Sequence, residues 1–470
     1  GGELHRATLQ ALCRTVDSWL SRGGVRAAAM PSACEVPAVP WWRAEPSSQE
    51  RPDPIALLQS QDPDRFGWLV PVRYARMAAD AFACFRGSAA VMAADLAALP
   101  RSGVEVQLCG DAHLLNFGYY ASPERALLFD LNDFDETLRG PFEWDLRRFL
   151  ASLVLAARQL GLPAERQERL ARRSCRTYRK AMGGFAALPL QQLWSLRLDV
   201  DRTIAELERG PLRDHLRVVS RQARQRDSRQ ALRKLCDQGP DGSLRFRHDP
   251  PLLWSFDASP PALWRDLALP PRSPEHPQPW RVHVGDMLER YGRSLRDDHR
   301  HLYSQYHLLD AAVKAVGVGS IGTRCCIGVL QGPGGSDDLL VLQSKQASQS
   351  VLEPYLGPSP YPHHGQRVVC GQRLLQSASD IFLGWTTSAV GMSTYVRHFR
   401  DWKWSVSLES LDEDGLDQQA RLCSWVLAKA HARSGDPRAV AEALNAGKVI
   451  DAAMAVGAMA YAEQAEADHR

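Results

Sequence analysis

The chain has 470 residues, 44% of them hydrophobic and 24% charged, with a net charge of +3. These values exclude a disordered protein, and so small a charge does not demand a polyanionic partner. No apolar run reaches the ~18–20 residues of a membrane-spanning helix, and no signal-peptide pattern opens the sequence. The ten cysteines form no C-x-x-C pair or zinc spacing. The expectation is a soluble cytoplasmic protein with reduced thiols.

In chain order, residues 31–54 (PSACEVPAVPWWRAEPSSQERPDP) are too proline-rich for regular structure and read as the linker of an N-terminal arm, 1–60. RYARMAADAFACFRGSAAVMAADLAALP predicts a helix, a break near Gly87 and a second helix. VEVQLC (104–109) alternates like a strand, and RALLFDLNDF predicts another strand entering a loop. PFEWDLRRFLASLVLAARQL predicts an amphipathic helix, with Leu146, Phe149, Leu150, Leu153 and Val154 at i, i+3, i+4 spacing. Residues 164–236 read as helical and basic. A second proline-rich seam, 249–280, carries interleaved Trp and Leu, which predicts a packed connector rather than a free tether. CCIGVLQGPGGSDDLLVLQSK (325–345) predicts a hairpin, and RLCSWVLAKAHAR and AAMAVGAMAYAEQ return to helix. The expected organisation is a helical catalytic lobe (61–280), a β-containing nucleotide lobe (281–404) and C-terminal helices (405–470) that complete the catalytic lobe.

The chemistry concentrates in CGDAHLLNFG (109–118) and DFDET (133–137). Asp111 and Asn116 form Asp-x-x-x-x-Asn after a strand, a spacing that resembles the catalytic loop of protein kinases and of aminoglycoside and choline phosphotransferases. The resemblance implies that Asp111 takes the proton of an acceptor hydroxyl and that Asn116 binds Mg²⁺ on the phosphates of ATP. Asp133-Phe134-Asp135 resembles the metal-binding Asp-Phe-Gly of those enzymes, and GPFEWDL resembles their GDPxxDL. Asp133 is the preferred second metal ligand, for its separation from Asp145, with Asp135 beside it and Asp130 a rival. His113 and Asp145 read as structural supports of the loop. Taken alone, Asp111 and Asn116 also fit a turn-forming pair at a strand end.

A nucleotide grip does not precede this loop: residues 1–105 hold no G-x-G-x-x-G, and the first lysine is Lys180. Downstream, VGVGSIGTR supplies Gly317, Gly319, Ser320 and Gly322, and LLVLQSKQA ends a strand with Lys345. Glycines let backbone amides approach phosphate, and a strand-borne lysine neutralises its oxygens. A glycine-rich hairpin turn explains the motif equally well. In a dinucleotide-binding fold it would enter a helix. Here it enters the strand-like run Cys325–Leu330, which favours a kinase-type loop between strands. STYVRHFRDWKWS reads as the strand and hinge against adenine, and LAKAHARSGD resembles the LAxLHA helix of aminoglycoside phosphotransferases. Asp436 cannot be the catalytic Asp, because position 441 is Ala rather than Asn. The expected fold is α+β: a protein-kinase-like bilobal fold, largely helical and circularly permuted, with the catalytic lobe first.

As a set, GDAHLLNFG, FDLNDFDET, EWDLRR, GVGSIGTR, GQR and LAKAHARSGD resemble an uncharacterised bacterial domain-of-unknown-function family, numbered twenty-two fifty-two, over roughly residues 50–465. This chain departs from that pattern at two positions. Gln346 stands where the family has an acid after the strand lysine, and Cys370 where it has an acid in the RVVxGQR helix. Kinases hold the lysine with a helix glutamate, so Glu353 becomes the nearest candidate partner of Lys345.

The expected activity is ATP- and Mg²⁺-dependent phosphoryl transfer to a small hydroxylated or amino acceptor. The alternative is a non-catalytic nucleotide-binding protein. Arg213, Arg217, Arg221 and Arg224 line one helical face, read as solvated surface; the other possibility is an acidic substrate or a nucleic-acid backbone, which would make the chain a nucleic-acid binder through 209–234. No aromatic residues interleave the stripe, which argues against single-stranded nucleic acid. Trp41, Trp42, Trp144, Trp402 and Trp404 read as core.

Overall fold

The spacing of Leu146, Phe149, Leu150, Leu153 and Val154 is realised as helix Phe142–Gln159, which is buried along nearly its whole length. A helix apolar on one stripe needs covering on that face; one apolar nearly all round must be central. Helices Ala164–Ala186, Glu413–Ser434 and Lys448–His469 surround it. The computed structural model describes residues 2–22, 40–43, 51–206, 217–218, 220–221, 223–225, 228–239, 243–259, 261–267, 278–315, 321–388, 391–399, 402 and 407–470. No helix among them is long and apolar enough to cross a membrane. The architecture is mixed α+β, with several small sheets.

The first strands are β1 (Glu105–Leu108), β2 (Phe117–Ala121), β3 (Leu127–Leu131) and β4 (Leu138–Pro141). β1 pairs antiparallel with β4, Leu108 opposite Leu138, and β2 with β3, Phe117 opposite Leu131. A short β5 (Leu198–Asp199) joins β3, and β6 (Cys236–Gln238) pairs with β7 (Leu244–Phe246). The two loops that carry the motifs, 109–116 and 132–137, therefore leave neighbouring strand ends.

A six-stranded antiparallel sheet follows, in the order β12-β13-β11-β10-β9-β8. Its strands are β8 (Leu253–Ser255), β9 (His307–Lys314), β10 (Cys325–Gln331), β11 (Leu339–Gln346), β12 (Gly384–Thr387) and β13 (Ser393–His398). The hairpin over 325–345 is β10 and β11, with Cys325 opposite Lys345. β8 comes from the second proline-rich seam, so the sheet starts before residue 281. The described part of that seam is packed: Leu253, Phe256, Leu263, Trp264 and Trp280 are all buried.

The largest core joins residues from both ends of the chain. Leu9, Leu12 and Val16 of helix Gly2–Arg22 sit in it with Leu422, Val426 and Leu427. This segment was expected to be part of an arm. Its i, i+3, i+7 apolar positions instead make it a core helix against Glu413–Ser434.

Candidate functional site

The loop after β1 is held from beneath. Asp145, in the first turn of helix Phe142–Gln159, accepts from the backbone amides of Cys109 (2.7 Å) and Gly110 (3.0 Å). His431 Nε2 lies 3.2 Å from the same carboxylate, and the Tyr178 hydroxyl 2.7 Å from His431 Nδ1. All three side chains are buried. Gly110 has φ +86°, and a Cβ there would stand 2.3 Å from the Glu136 carbonyl oxygen. Only glycine lets the two loops approach this closely.

Above this anchor, Asp111 Oδ1 accepts from Arg148 Nε at 2.8 Å, and its Oδ2 lies 3.8 Å from His113 Nε2. His113 Nδ1 accepts from the Leu115 amide, which leaves the ring proton on Nε2, toward Asp111. Burial pulls the His113 pKa down to about 4, so the ring is neutral at physiological pH. Asn116 Nδ2 donates to the Asp111 carbonyl (2.6 Å), and the Asn116 carbonyl accepts from the Asn132 amide (2.8 Å). That bond ties the loop to the segment carrying Asp133.

The three aspartates around β3 go to different places. Asp130 points into the interior, where it pairs with Lys429 and accepts from Ser377 N (2.9 Å) and Oγ (2.8 Å). It is thereby removed as a rival metal ligand: a buried carboxylate matched by a buried ammonium has no free edge for a cation. Asp133 and Asp135 instead meet Lys345, which lies across the sheet from Cys325 and Tyr395. Lys345 Nζ is bonded to Asp135 Oδ2 and lies 4.0 Å from Asp133 Oδ2. The Tyr395 hydroxyl donates to Asp135 Oδ1 at 2.8 Å. Burial alone would lower the lysine pKa, but the carboxylates of Asp133 and Asp135 outweigh it and hold it above the usual range. The ammonium is therefore charged.

A family model described as "Uncharacterized protein conserved in bacteria (DUF2252)" matches residues 65–470. The chain belongs to this family. No curated protein and no solved structure matches it. The DUF2252 description names no activity.

One expectation about the side chains of the site changes and another is extended. Glu353 does not pair with Lys345. Its oxygens accept from the amides of Ser350 (3.1 Å) and Ser359 (3.3 Å), and it lies 3.7 Å from Arg367 Nε. Eight residues past the lysine, the chain has left the sheet for the short helix Glu353–Leu356, so the acid supports the neighbouring turn instead. Asp135, expected as a metal ligand, is in addition a partner of Lys345: one of its oxygens is on the lysine and the other on Tyr395.

Gly317, Gly319 and Ser320 lie outside the described residues. The strands on either side of them, β9 and β10, are antiparallel neighbours with Val313 opposite Cys326. Gly322 has φ +88°, and its carbonyl accepts from the Phe66 amide at 2.7 Å. Of the basic stripe, Arg224 bonds Asp201 (2.6 Å) and lies over the Trp402 ring, while Arg217 and Arg221 are exposed. Arg213 and Trp404 lie outside the described residues. Trp41, Trp144 and Trp402 are buried.

The motif readings missed Arg148, Glu136, Arg367 and Tyr395. Arg148 is sandwiched between Asp111 and the Phe85 ring and carbonyl. Glu136 and Asp135 line a cavity of about 300 Å³ together with Arg65, Gln346, Ser348 and Ser350. Burial raises the Glu136 carboxyl to about 7, although Arg367 and the Val351 amide oppose the shift. Tyr395 and Arg367 stood inside motifs already quoted, but nothing local marks a tyrosine or arginine as the neighbour of an acid far away in the chain.

Proposed function

We propose that this chain is a kinase-like phosphotransferase of permuted order, moving the γ-phosphoryl group of ATP to a small hydroxylated or amino acceptor. The observation that carries the reading is the meeting of Lys345 with Asp133 and Asp135, 210 residues away from it in the case of Asp135. A charged lysine and two carboxylates, beside a loop holding Asp111 and Asn116, are the parts that phosphoryl transfer needs on one side of a cleft. The glycine-rich segment joins the first two strands of the β9–β10–β11 meander and the lysine sits on the third, as in kinases.

In this reading Asp111 accepts the proton of the acceptor hydroxyl as its oxygen bonds to the γ-phosphorus. The bond from that phosphorus to the β,γ-bridging oxygen breaks, and ADP leaves. Arg148 fixes the Asp111 carboxylate, and Lys345 with the 317–322 segment holds phosphate oxygens. No group of three or more His, Cys, Asp or Glu among the described residues is arranged as a metal cage. Magnesium does not need one, because it usually takes one or two carboxylates plus substrate phosphates and water. Asn116 and Asp133, whose side chain is 35% exposed, fit that use. When bound, Mg²⁺ would offset phosphate charge.

Thermal unfolding with ATP and Mg²⁺, with ATP and EDTA, and with neither tests the reading on wild type, Lys345→Ala and Asp133→Asn. Saturation at 100 times Kd stabilises by about 2.7 kcal/mol. A metal-dependent rise lost in both variants supports a single nucleotide site. No rise across a wide ATP range refutes it. A metal-dependent rise in wild type, with no turnover of any acceptor by wild type, would favour the non-catalytic nucleotide binder.

A further inference from the structure

Kinases hold the phosphate-gripping lysine with a glutamate from the helix that follows its strand. Here the first long helix after β11 is His364–Leu375, and it turns a different set of residues to the site. Arg367 is buried and donates to three backbone carbonyls: Thr137 (2.8 Å), Asp135 (2.8 Å) and Ser348 (2.9 Å). One turn on, a Cβ at Gly371 would stand 2.4 Å from Thr137 Cγ2, so the helix lies directly on the 135–137 segment. The acid touching Lys345 comes from that segment.

We infer that Asp135, steadied by the Tyr395 hydroxyl, is the positioning acid of Lys345, and that Arg367 ties this acid to helix His364–Leu375. The inference rests on the phosphotransferase reading and deepens it. The role has moved from the helix to the loop after β3, and the helix keeps its influence through the Arg367 bonds. Neither position singled out in the sequence supplies the lysine's partner. Gln346 is free to accept from Arg324 Nη1 (3.3 Å) and its amide (3.2 Å), on the opposite face of β11 from Lys345.

The test is ATP affinity, measured by calorimetric titration with Mg²⁺ and with EDTA, on wild type, Asp135→Asn, Tyr395→Phe, Lys345→Met and Asp135→Asn/Lys345→Met. Asp135→Asn is expected to weaken ATP binding about tenfold, the scale of one charge-assisted bond. The factor is the same with and without metal, because the acid acts through the lysine. In the Lys345→Met background the second change adds nothing. Tyr395→Phe gives a smaller loss of the same pattern, and it decides the matter if Asp135→Asn fails to fold. A loss confined to the Mg²⁺ titrations would make Asp135 a metal ligand and overturn the inference. So would equal losses in both lysine backgrounds, which mark a merely structural role. Wild type that binds ATP in neither condition would instead refute the phosphotransferase reading itself.

Discussion

Asp145 and His431 meet in the core, 286 residues apart in sequence, with His431 Nε2 3.2 Å from the carboxylate that also caps the amides of Cys109 and Gly110. The loop bearing Asp111 is thus fastened to two helices that are far apart in the chain. Removing the carboxylate leaves two backbone amides and a ring nitrogen without their acceptor. Asp145→Ala should cost at least about 3 kcal/mol, since three buried donors are orphaned at about 1–3 each. Tyr178→Phe, which deletes only the outer bond of the chain, should cost about 1 kcal/mol. Urea denaturation of the two variants beside wild type measures both, and equal costs would mean that Asp145 does not anchor the loop.

Gly110 makes a second, geometric prediction. Its φ of +86° is strained for any residue with a side chain, and the Glu136 carbonyl fills the space a Cβ would need. Gly110→Ala should therefore separate the 109–116 and 132–137 loops. The expected result is a loss of at least about 2 kcal/mol in stability. If nucleotide binding is measurable, it should fall further than stability alone accounts for. A Gly110→Ala protein as stable as wild type would show that the loops can part without cost.

Local pattern explains which parts of this arrangement could be read beforehand. β1, β3, the β10–β11 hairpin and helix Phe142–Gln159 follow from apolar period, because each buries one face or a continuous run. The site was legible only in halves. Asp111, Asn116 and Asp133 cluster within one stretch, so their spacing carries information. Lys345 and its acid are brought together by packing, and no spacing encodes that. β3 is buried at every position, Leu127 to Leu131, so alternation could not say which aspartate faces inward. Asp130 is decided by Lys429, 299 residues away. Helix Gly2–Arg22 had a readable stripe in Leu9, Leu12 and Val16, but the proline-rich stretch after it obscured its tie to the C-terminal helices.

The Asp130–Lys429 pair supplies the third prediction. Both side chains are fully buried, and burial lowers the lysine pKa even though Asp130 opposes it. Lys429→Met leaves a carboxylate inside with only the Leu131 amide and the Ser377 amide and hydroxyl to bond it, which should cost about 3–5 kcal/mol. Asp130→Asn in the same background removes that stranded charge. The double variant should therefore be more stable than Lys429→Met alone, a reversal visible in denaturant midpoints. Strictly additive losses would show that the pair contributes no mutual electrostatic stabilisation.

Glu136 predicts a pH dependence of stability. Its carboxyl stands at about 7 in the folded protein against 4.5 for an unperturbed glutamate, with burial as the main cause. The folded state therefore holds the proton more tightly than the unfolded state does. Below about pH 4.5 both states are protonated and the stabilisation is fully present. Between 4.5 and 7 the unfolded chain releases the proton first, so stability falls as pH rises and the contribution is gone above 7. The full swing is on the order of 3 kcal/mol. Glu136→Gln has no proton to lose, so the difference between wild type and variant should shift in the variant's favour across that window. Unfolding free energies at pH 4.5, 6 and 7.5 read this directly. A difference that stays flat would mean that Glu136 is ionised in the fold, held by Arg367 and the Val351 amide despite its burial.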